Sequence, residues 1–249
     1  EKRFEVVGRG VALVIGCGTF PTWNTYPGLF AALVTGNPVI VKPHPNAVLP
    51  AAISVKIVRD VLQESGLDPN LVTLFVTDDP KQTQALATNP AVKSIDFTGS
   101  NAFGRWLMDH ARQAQVYAEL AGVNNVVIES TDSYKAMLRN LAFTLSLYSG
   151  QMCTTTQDIF VPAGGIETDE GHKTFDQVAA DLGAAVGKFL ADPAVATAVL
   201  GAIQSPDTLA RIDAAAQLAE VVLPSRKIDH PDFPNANVRT PLLLKSDAV

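Results

Sequence analysis

The sequence predicts an α/β protein built on a parallel sheet, and three observations lead there. Short β-branched runs bounded by glycine and proline recur along the chain, as buried parallel strands do. Segments long enough for helices of about one to five turns separate them, the alternation that implies parallel pairing with right-handed crossovers. Hydrophobic residues make up 47% of the 249 positions and charged residues 18%, so a substantial core can form.

Taken in order, Val11–Ile15 and Val39–Val41 read as buried strands. Pro27–Val34 reads as a small apolar helix between them, stopped by Gly36-Asn37. Asn46 is placed to cap a longer helix through Leu62, with Gly66 just past its end. A strand over Leu71–Val76, a helix over Lys81–Ala87 and a strand over Ser94–Phe97 follow. Next come a helix over Asn101–Ala111 and a strand over Val116–Leu120. After Gly122 the pattern resumes with a strand over Asn125–Ile128, a helix from Tyr134 to Leu147 and a strand over Ile159–Val161. Gly164–Gly171 is acidic and glycine-containing, hence a loop. An Ala-rich helix over Phe175–Leu190 and a strand over Leu242–Leu244 complete the pattern. The expected layout is two α/β units, residues 1–120 and 121–249.

Composition removes several function classes. Nineteen Lys and Arg face 25 Asp and Glu, a net charge of −6, and no basic cluster offsets it, so nucleic acid is not an expected partner. The two cysteines, Cys17 and Cys153, lack neighbours at metal-ligand spacing. No disulfide framework or metal site is expected, which points to a reducing, cytoplasmic setting. No charge occurs from Gly10 to Val41, a run long enough to span a bilayer. Pro21, Pro27, Pro38 and many polar groups interrupt it, so buried strands and a short helix are expected there, not a membrane span. The chain starts Glu1-Lys2-Arg3, and we read it as the middle of something longer.

Three segments could carry chemistry. Gly16-Cys17-Gly18-Thr19-Phe20-Pro21 follows a strand as a dinucleotide fingerprint would, but Pro21 replaces the third glycine and the next helix starts too late. Phe97-Thr98-Gly99-Ser100 runs from a strand into a helix start. There Ser100 either caps its own helix or, with free N–H groups, faces an anion. Cys153 lies in a polar turn, Ser149-Gly150-Gln151-Met152-Cys153, and Glu119 ends an apolar strand where a carboxylate would be partly desolvated. A thiol and a carboxylate at two strand ends can act as nucleophile and general base, although a lone cysteine is more often a small core residue.

The ordered set Thr35-Gly36-Asn37 with Lys42-Pro43, Phe97-Thr98-Gly99-Ser100, Glu119-Leu120-Ala121-Gly122 and Gly150-Gln151-Met152-Cys153 resembles the aldehyde dehydrogenase superfamily over nearly the whole chain. Within it, Gly16 to Asn24 looks most like the phenylacetic acid degradation branch. The resemblance implies a Rossmann-like NAD(P)-binding domain plus part of a second α/β catalytic domain. It implies oxidation of a small-molecule aldehyde, such as a CoA-linked semialdehyde, to its acid, and a homo-oligomeric full-length enzyme. Cys153 would form the thiohemiacetal and thioester, and Glu119 would activate the hydrolytic water. Lys42 would reach the adenosine ribose and Ser100 the pyrophosphate. Gly99, Gly104, Leu120 and Pro45 would line the cofactor.

Departures from the family pattern sharpen the reading. The asparagine that usually serves as oxyanion donor is replaced by Thr19, which keeps one hydroxyl donor beside the Cys153 backbone N–H. The carboxylate that grips the ribose in NAD-preferring members is replaced by Pro45, with Lys42 and His44 close by, so the expected cofactor is NADP, accepted or even preferred, with NAD as the alternative. A lysine expected before Thr35-Gly36-Asn37 is replaced by Gly28, and the second cofactor-holding glutamate has no counterpart here. Among other residues, Cys17 reads as an inert core thiol, Trp23 and Asn24 as walls of a substrate tunnel or, for Trp23, as packing, His44 as a phosphate contact or a surface histidine, and Asp132, Asp169 and Glu170 as solvated charges. Two alternatives stand beside hydrolytic oxidation. One is an acylating dehydrogenase ending on coenzyme A, which the presence of Glu119 disfavours. The other is a non-catalytic nucleotide-binding module.

Overall fold

Valine and isoleucine runs with hydrophobic neighbours on both sides pair here as strands buried on both faces. The computed structural model describes residues 2–247 and divides into two units, Glu1–Ala121 and Gly122–Val249. The first contains, in order, β1 (Val11–Ile15), α1 (Tyr26–Val34), β2 (Val39–Lys42), α2 (Val48–Glu64), β3 (Val72–Leu74), α3 (Pro80–Ala87), β4 (Val92–Gly99), α4 (Asn101–His110) and β5 (Gln115–Leu120). The strands form one five-stranded sheet in the order β3-β2-β1-β4-β5, every pair parallel. Val14 and Leu29 belong to the core under α1 and α2, while Leu13, Ile95 and Leu107 belong to the core under α3 and α4.

Several expected boundaries move for local reasons. Asn46 does not cap α2. Pro45–Ala47 forms a 3-10 turn, and the His44 ring accepts the Asn46 N–H at 3.2 Å through Nδ1. Proline at the first turn position has no N–H to satisfy, which suits it there. The third strand starts only at Val72, because Asp68 caps a 3-10 turn over Pro69–Leu71. Gly104 is buried under α4, where an added Cβ would fall 2.3 Å from Leu120 Cδ2 and 3.1 Å from Phe97 Cε1. Gly104→Val is therefore expected to destabilise the fold by about 1–3 kcal/mol, the cost typical of overpacking. An unchanged midpoint in chemical denaturation would contradict this packing account.

The second unit contains β6 (Asn124–Val127), β7 (Ser130–Thr131), α5 (Tyr134–Ser146), β8 (Thr156–Phe160), β9 (Glu167–Thr168), α6 (Phe175–Phe189), α7 (Pro193–Val199), α8 (Pro206–Ala215), β10 (Glu220–Leu223), β11 (Lys227–Ile228), β12 (Val238–Arg239) and β13 (Leu243–Lys245). Strand pairs β6-β8 and β7-β9 are parallel, whereas β10-β13 and β11-β12 are antiparallel. Its core joins Leu138, Leu141 and Ala142 of α5 to Val178, Leu182 and Val186 of α6. The acidic segment expected as a loop contains β9, and its charges are not simply solvated. Asp169 Oδ1 accepts the Tyr134 N–H at 2.8 Å, capping α5 from a distance, and Glu170 pairs with Lys135 at 2.6 Å. Among the described residues, no single helix is long and apolar enough to cross a membrane.

Candidate active site

In an open parallel sheet, ligands bind outside the carboxyl ends of the strands where the strand order reverses. Here that point lies between β1 and β4, which continue into Gly16–Thr19 and Ser100. Ser100 caps α4, its Oγ accepting the Phe103 N–H at 3.3 Å. Both meanings of that serine are compatible, since a capping hydroxyl keeps its own proton to donate. Gly99 ends β4 above the Phe97 ring, which would stand 2.7 Å from an added Cβ. Gly104 and Leu120 meet each other, so their visible part is packing.

Lys42 ends β2 and is only 8% exposed. Burial pushes its ammonium below the ordinary lysine value, and no carboxylate pairs with it among the described residues. A buried cation without a partner is costly, and an anionic or hydroxyl-bearing ligand would offset that cost. Pro45 is exposed and brings no carboxylate to this edge. Burial and the Lys42 charge push His44 below the ordinary histidine value. With Nδ1 accepting from Asn46, His44 is a neutral capping imidazole, not a second cation for a phosphate.

The loop after β1 corrects two sequence expectations. Cys17 is half-buried, not a core thiol. Its Sγ accepts the Phe20 N–H at 3.3 Å, donates to Asn24 Oδ1 at 3.3 Å and lies 3.5 Å from Thr19 Oγ1. Trp23 is 76% exposed, so it does not pack. Asn24 Nδ2 donates to Glu119 Oε2 at 3.2 Å, so the thiol and the carboxylate together orient one amide. Glu119 itself is exposed at the end of β5. The desolvated carboxyl is Asp96 of β4, which burial and the neighbouring Glu119 push above the ordinary aspartate value.

In the second unit, Cys153 is exposed. The turn leading to it is left-handed: Tyr148, Ser149 and Gly150 have φ of 54°, 52° and 69°. Such backbone costs about 1–2 kcal/mol per non-glycine residue, so something must hold it. Ser149 Oγ donates to the Gly201 carbonyl at 2.8 Å, and Gln151 Nε2 donates to the Ala202 carbonyl at 2.8 Å. Gln151 Oε1 accepts the Gln204 N–H at 2.9 Å. Gly201 leaves room for the Tyr148 ring, whose Cδ2 would meet an added Cβ at 2.4 Å. Asn124 Nδ2 holds the Cys153 carbonyl at 2.6 Å and the Thr155 carbonyl at 3.1 Å. No described group accepts the Cys153 N–H, so that donor and the thiol are both open. Thr155 Oγ1 is buried with no partner among the described residues.

Asp96 and Asn124 did not emerge from the sequence, because single polar residues on strands and loops carry no spacing signal, and Asn24, expected beside a substrate tunnel, instead bonds Cys17 and Glu119. Among the described residues, no group of three or more His, Cys, Asp or Glu could hold a metal ion.

Comparison with known proteins bears on these features. Residues 4–245 match the model described as the aldehyde dehydrogenase family. Among solved structures, an NAD-dependent aldehyde dehydrogenase from Burkholderia multivorans superposes with a TM-score of 0.92 at 58% identity, covering 95% of this chain and 43% of that one. An N-succinylglutamate 5-semialdehyde dehydrogenase of Paraburkholderia xenovorans (strain LB400) is 31% identical over 242 residues, 94% of this chain and 47% of that protein. A 1-pyrroline-5-carboxylate dehydrogenase of Bacillus subtilis (strain 168) is 28% identical over 161 residues, 61% of this chain and 30% of that protein. The chain thus spans less than half the length of these relatives.

Proposed function

The chain belongs to the aldehyde dehydrogenase family, and from that premise we propose that it takes part in NAD(P)-dependent oxidation of an aldehyde to its acid. The observation that carries this reading is the carboxyl edge of the parallel sheet, where the unpaired Lys42 ammonium, the Ser100 helix start and the Glu119 carboxylate end neighbouring elements. These residues fit a nicotinamide dinucleotide. Lys42 would hold ribose hydroxyls, and Ser100 with the first N–H groups of α4 would hold the pyrophosphate.

Cys153 Sγ attacks the aldehyde carbon, forming the C–S bond of a thiohemiacetal. The Cys153 N–H and the Thr19 hydroxyl donate to the developing oxyanion. A missing donor of this kind typically costs about 2.7–4 kcal/mol. A nicotinamide held there would accept the hydride that this adduct gives up, and a thioester would remain on Cys153. Glu119 takes a proton from water as its oxygen adds to the thioester carbon. The C–S bond then breaks, Cys153 leaves as thiolate and the acid is released. The first unit thus serves as the cofactor domain and the second carries the nucleophile. A hydrophobic or CoA-linked semialdehyde of phenylacetate breakdown is the substrate class we favour, supported by the Gly16–Asn24 segment with its exposed Trp23.

Cofactor titration tests this reading. Lys42→Met keeps the side-chain length, and replacing a buried unpaired charge does not threaten the fold. Affinity for both NAD and NADP is expected to fall about tenfold, close to 1.4 kcal/mol. In wild type, the two affinities are expected within about tenfold of each other, because Pro45 brings no carboxylate to repel a 2′-phosphate. An unchanged affinity in Lys42→Met, or a larger preference for NAD, would contradict these assignments.

A further inference from the structure

The mechanism above leaves one carboxyl unused, and its surroundings are unusual. Asp96 lies on the face of β4 that α1 covers, its Cα paired with Val14 of β1 and Tyr117 of β5. Its carboxyl sits directly beneath Gly28 of α1, where an added Cβ would come within 2.7 Å of Cγ and 2.8 Å of Oδ2. Only glycine leaves this space, and the carboxyl fills it. Among the described residues no hydrogen bond or ion pair engages the Asp96 carboxylate, which is half-buried.

Glu119 pairs with Thr98, so it stands on the same face as Asp96, one strand across and two residues along. Strand spacing and rise place their Cα atoms about 8 Å apart, within reach of two carboxylate side chains or of one bridging water. The charged or titratable groups facing Asp96 are few. Neither β1 nor α1 contains a charged residue, α1 contributes Tyr26 at its start, and β5 brings Tyr117 and Glu119. Glu119 is oriented by the Asn24 amide, whereas Asp96 has no donor. Two neighbouring carboxyls in such different settings are suited to different protonation roles.

We propose that Asp96 is the proton acceptor that resets Glu119 between turnovers. The inference rests on the aldehyde-oxidation reading. When Glu119 has taken the proton from the attacking water, Glu119 O–H breaks and Asp96 O–H forms. Asp96 then releases the proton to solvent, so Glu119 is again a carboxylate when the next thioester forms. No electrons move in this step. In this role Asp96 acts through Glu119 and is a positioning residue. Burial and Glu119 raise the pH at which it gives up its proton, which is consistent with an acid that accepts readily near neutrality.

The test compares wild type with the isosteric Asp96→Asn in the full-length protein, reading two rates as a function of pH. The first-turnover rate of cofactor reduction, which precedes thioester hydrolysis, is expected to stay within twofold. The steady-state rate is expected to fall about tenfold. In wild type it also falls as pH drops through the raised value of Asp96, because a protonated acid cannot accept. That limb is expected to vanish in Asp96→Asn. Unchanged steady-state rates and pH profile would overturn the proposal. Equal loss in both rates would show a merely structural role and overturn it as well. A wild type that never reduces cofactor would instead sink the aldehyde-oxidation reading on which it rests.

Discussion

Cys153→Ser is expected to lower kcat/KM for aldehyde oxidation by roughly a thousandfold or more, about 4 kcal/mol of transition-state stabilisation. Serine is nearly isosteric, but its hydroxyl ionises far less readily than a thiol and is a poor nucleophile without an adjacent base. The loss should be chemical and not structural. The turn that presents residue 153 is held by Ser149, Gln151 and Asn124, none of which bonds the thiol. Circular dichroism and cofactor affinity are therefore expected to match wild type. Activity within tenfold of wild type would remove Cys153 as the nucleophile.

Glu119→Gln should separate the two halves of the reaction. The variant preserves shape and an acceptor for Asn24 Nδ2, which now meets Glu119 at 3.2 Å. The first-turnover reduction of cofactor is expected to stay near wild type, while steady-state turnover falls by about a hundred- to a thousandfold, the scale of a lost general base. Rapid-mixing kinetics would read both phases in one trace. Equal loss in the two phases would mean that Glu119 acts earlier, and no loss in either would remove it as the base.

How much of this was legible in the sequence depends on the element. The buried parallel strands were, because runs such as Val11–Ile15 have only one stable setting, between two helical layers. The α6 start was equally clear locally, since Thr174 and Gln177 form a reciprocal capping box. Helices α7 and α8 lie outside the predicted elements although Asp192-Pro193 and Ser205-Pro206 are cap-plus-proline starts, each with the cap side chain accepting a backbone N–H. The short strands β10–β12 offer less, being only two to four residues long.

The candidate site divides in the same way. Lys42, Ser100, Glu119 and Cys153 lie in motifs with recognisable order. Asn24 and Asp96 acquire meaning only when the sheet brings residues 24, 28, 96 and 119 together. Cys17 reads as a core thiol because an apolar run precedes it, yet the strand ends at Ile15 and the thiol falls in the loop, bonded to Asn24. For His44 the sequence offers a phosphate contact or a surface residue, and its ring instead caps the turn that Pro45 starts.

Peptide mapping of an acid-quenched turnover mixture tests the central claim most directly. The full-length protein would be mixed with cofactor and a reactive aldehyde, quenched within the first turnovers and digested without reductant. The account predicts an acyl group on the peptide containing Cys153, with mass two hydrogens below the aldehyde adduct, and none on the peptide containing Cys17. An acyl group on Cys17, or acid formation with no acyl group on either cysteine, would contradict it.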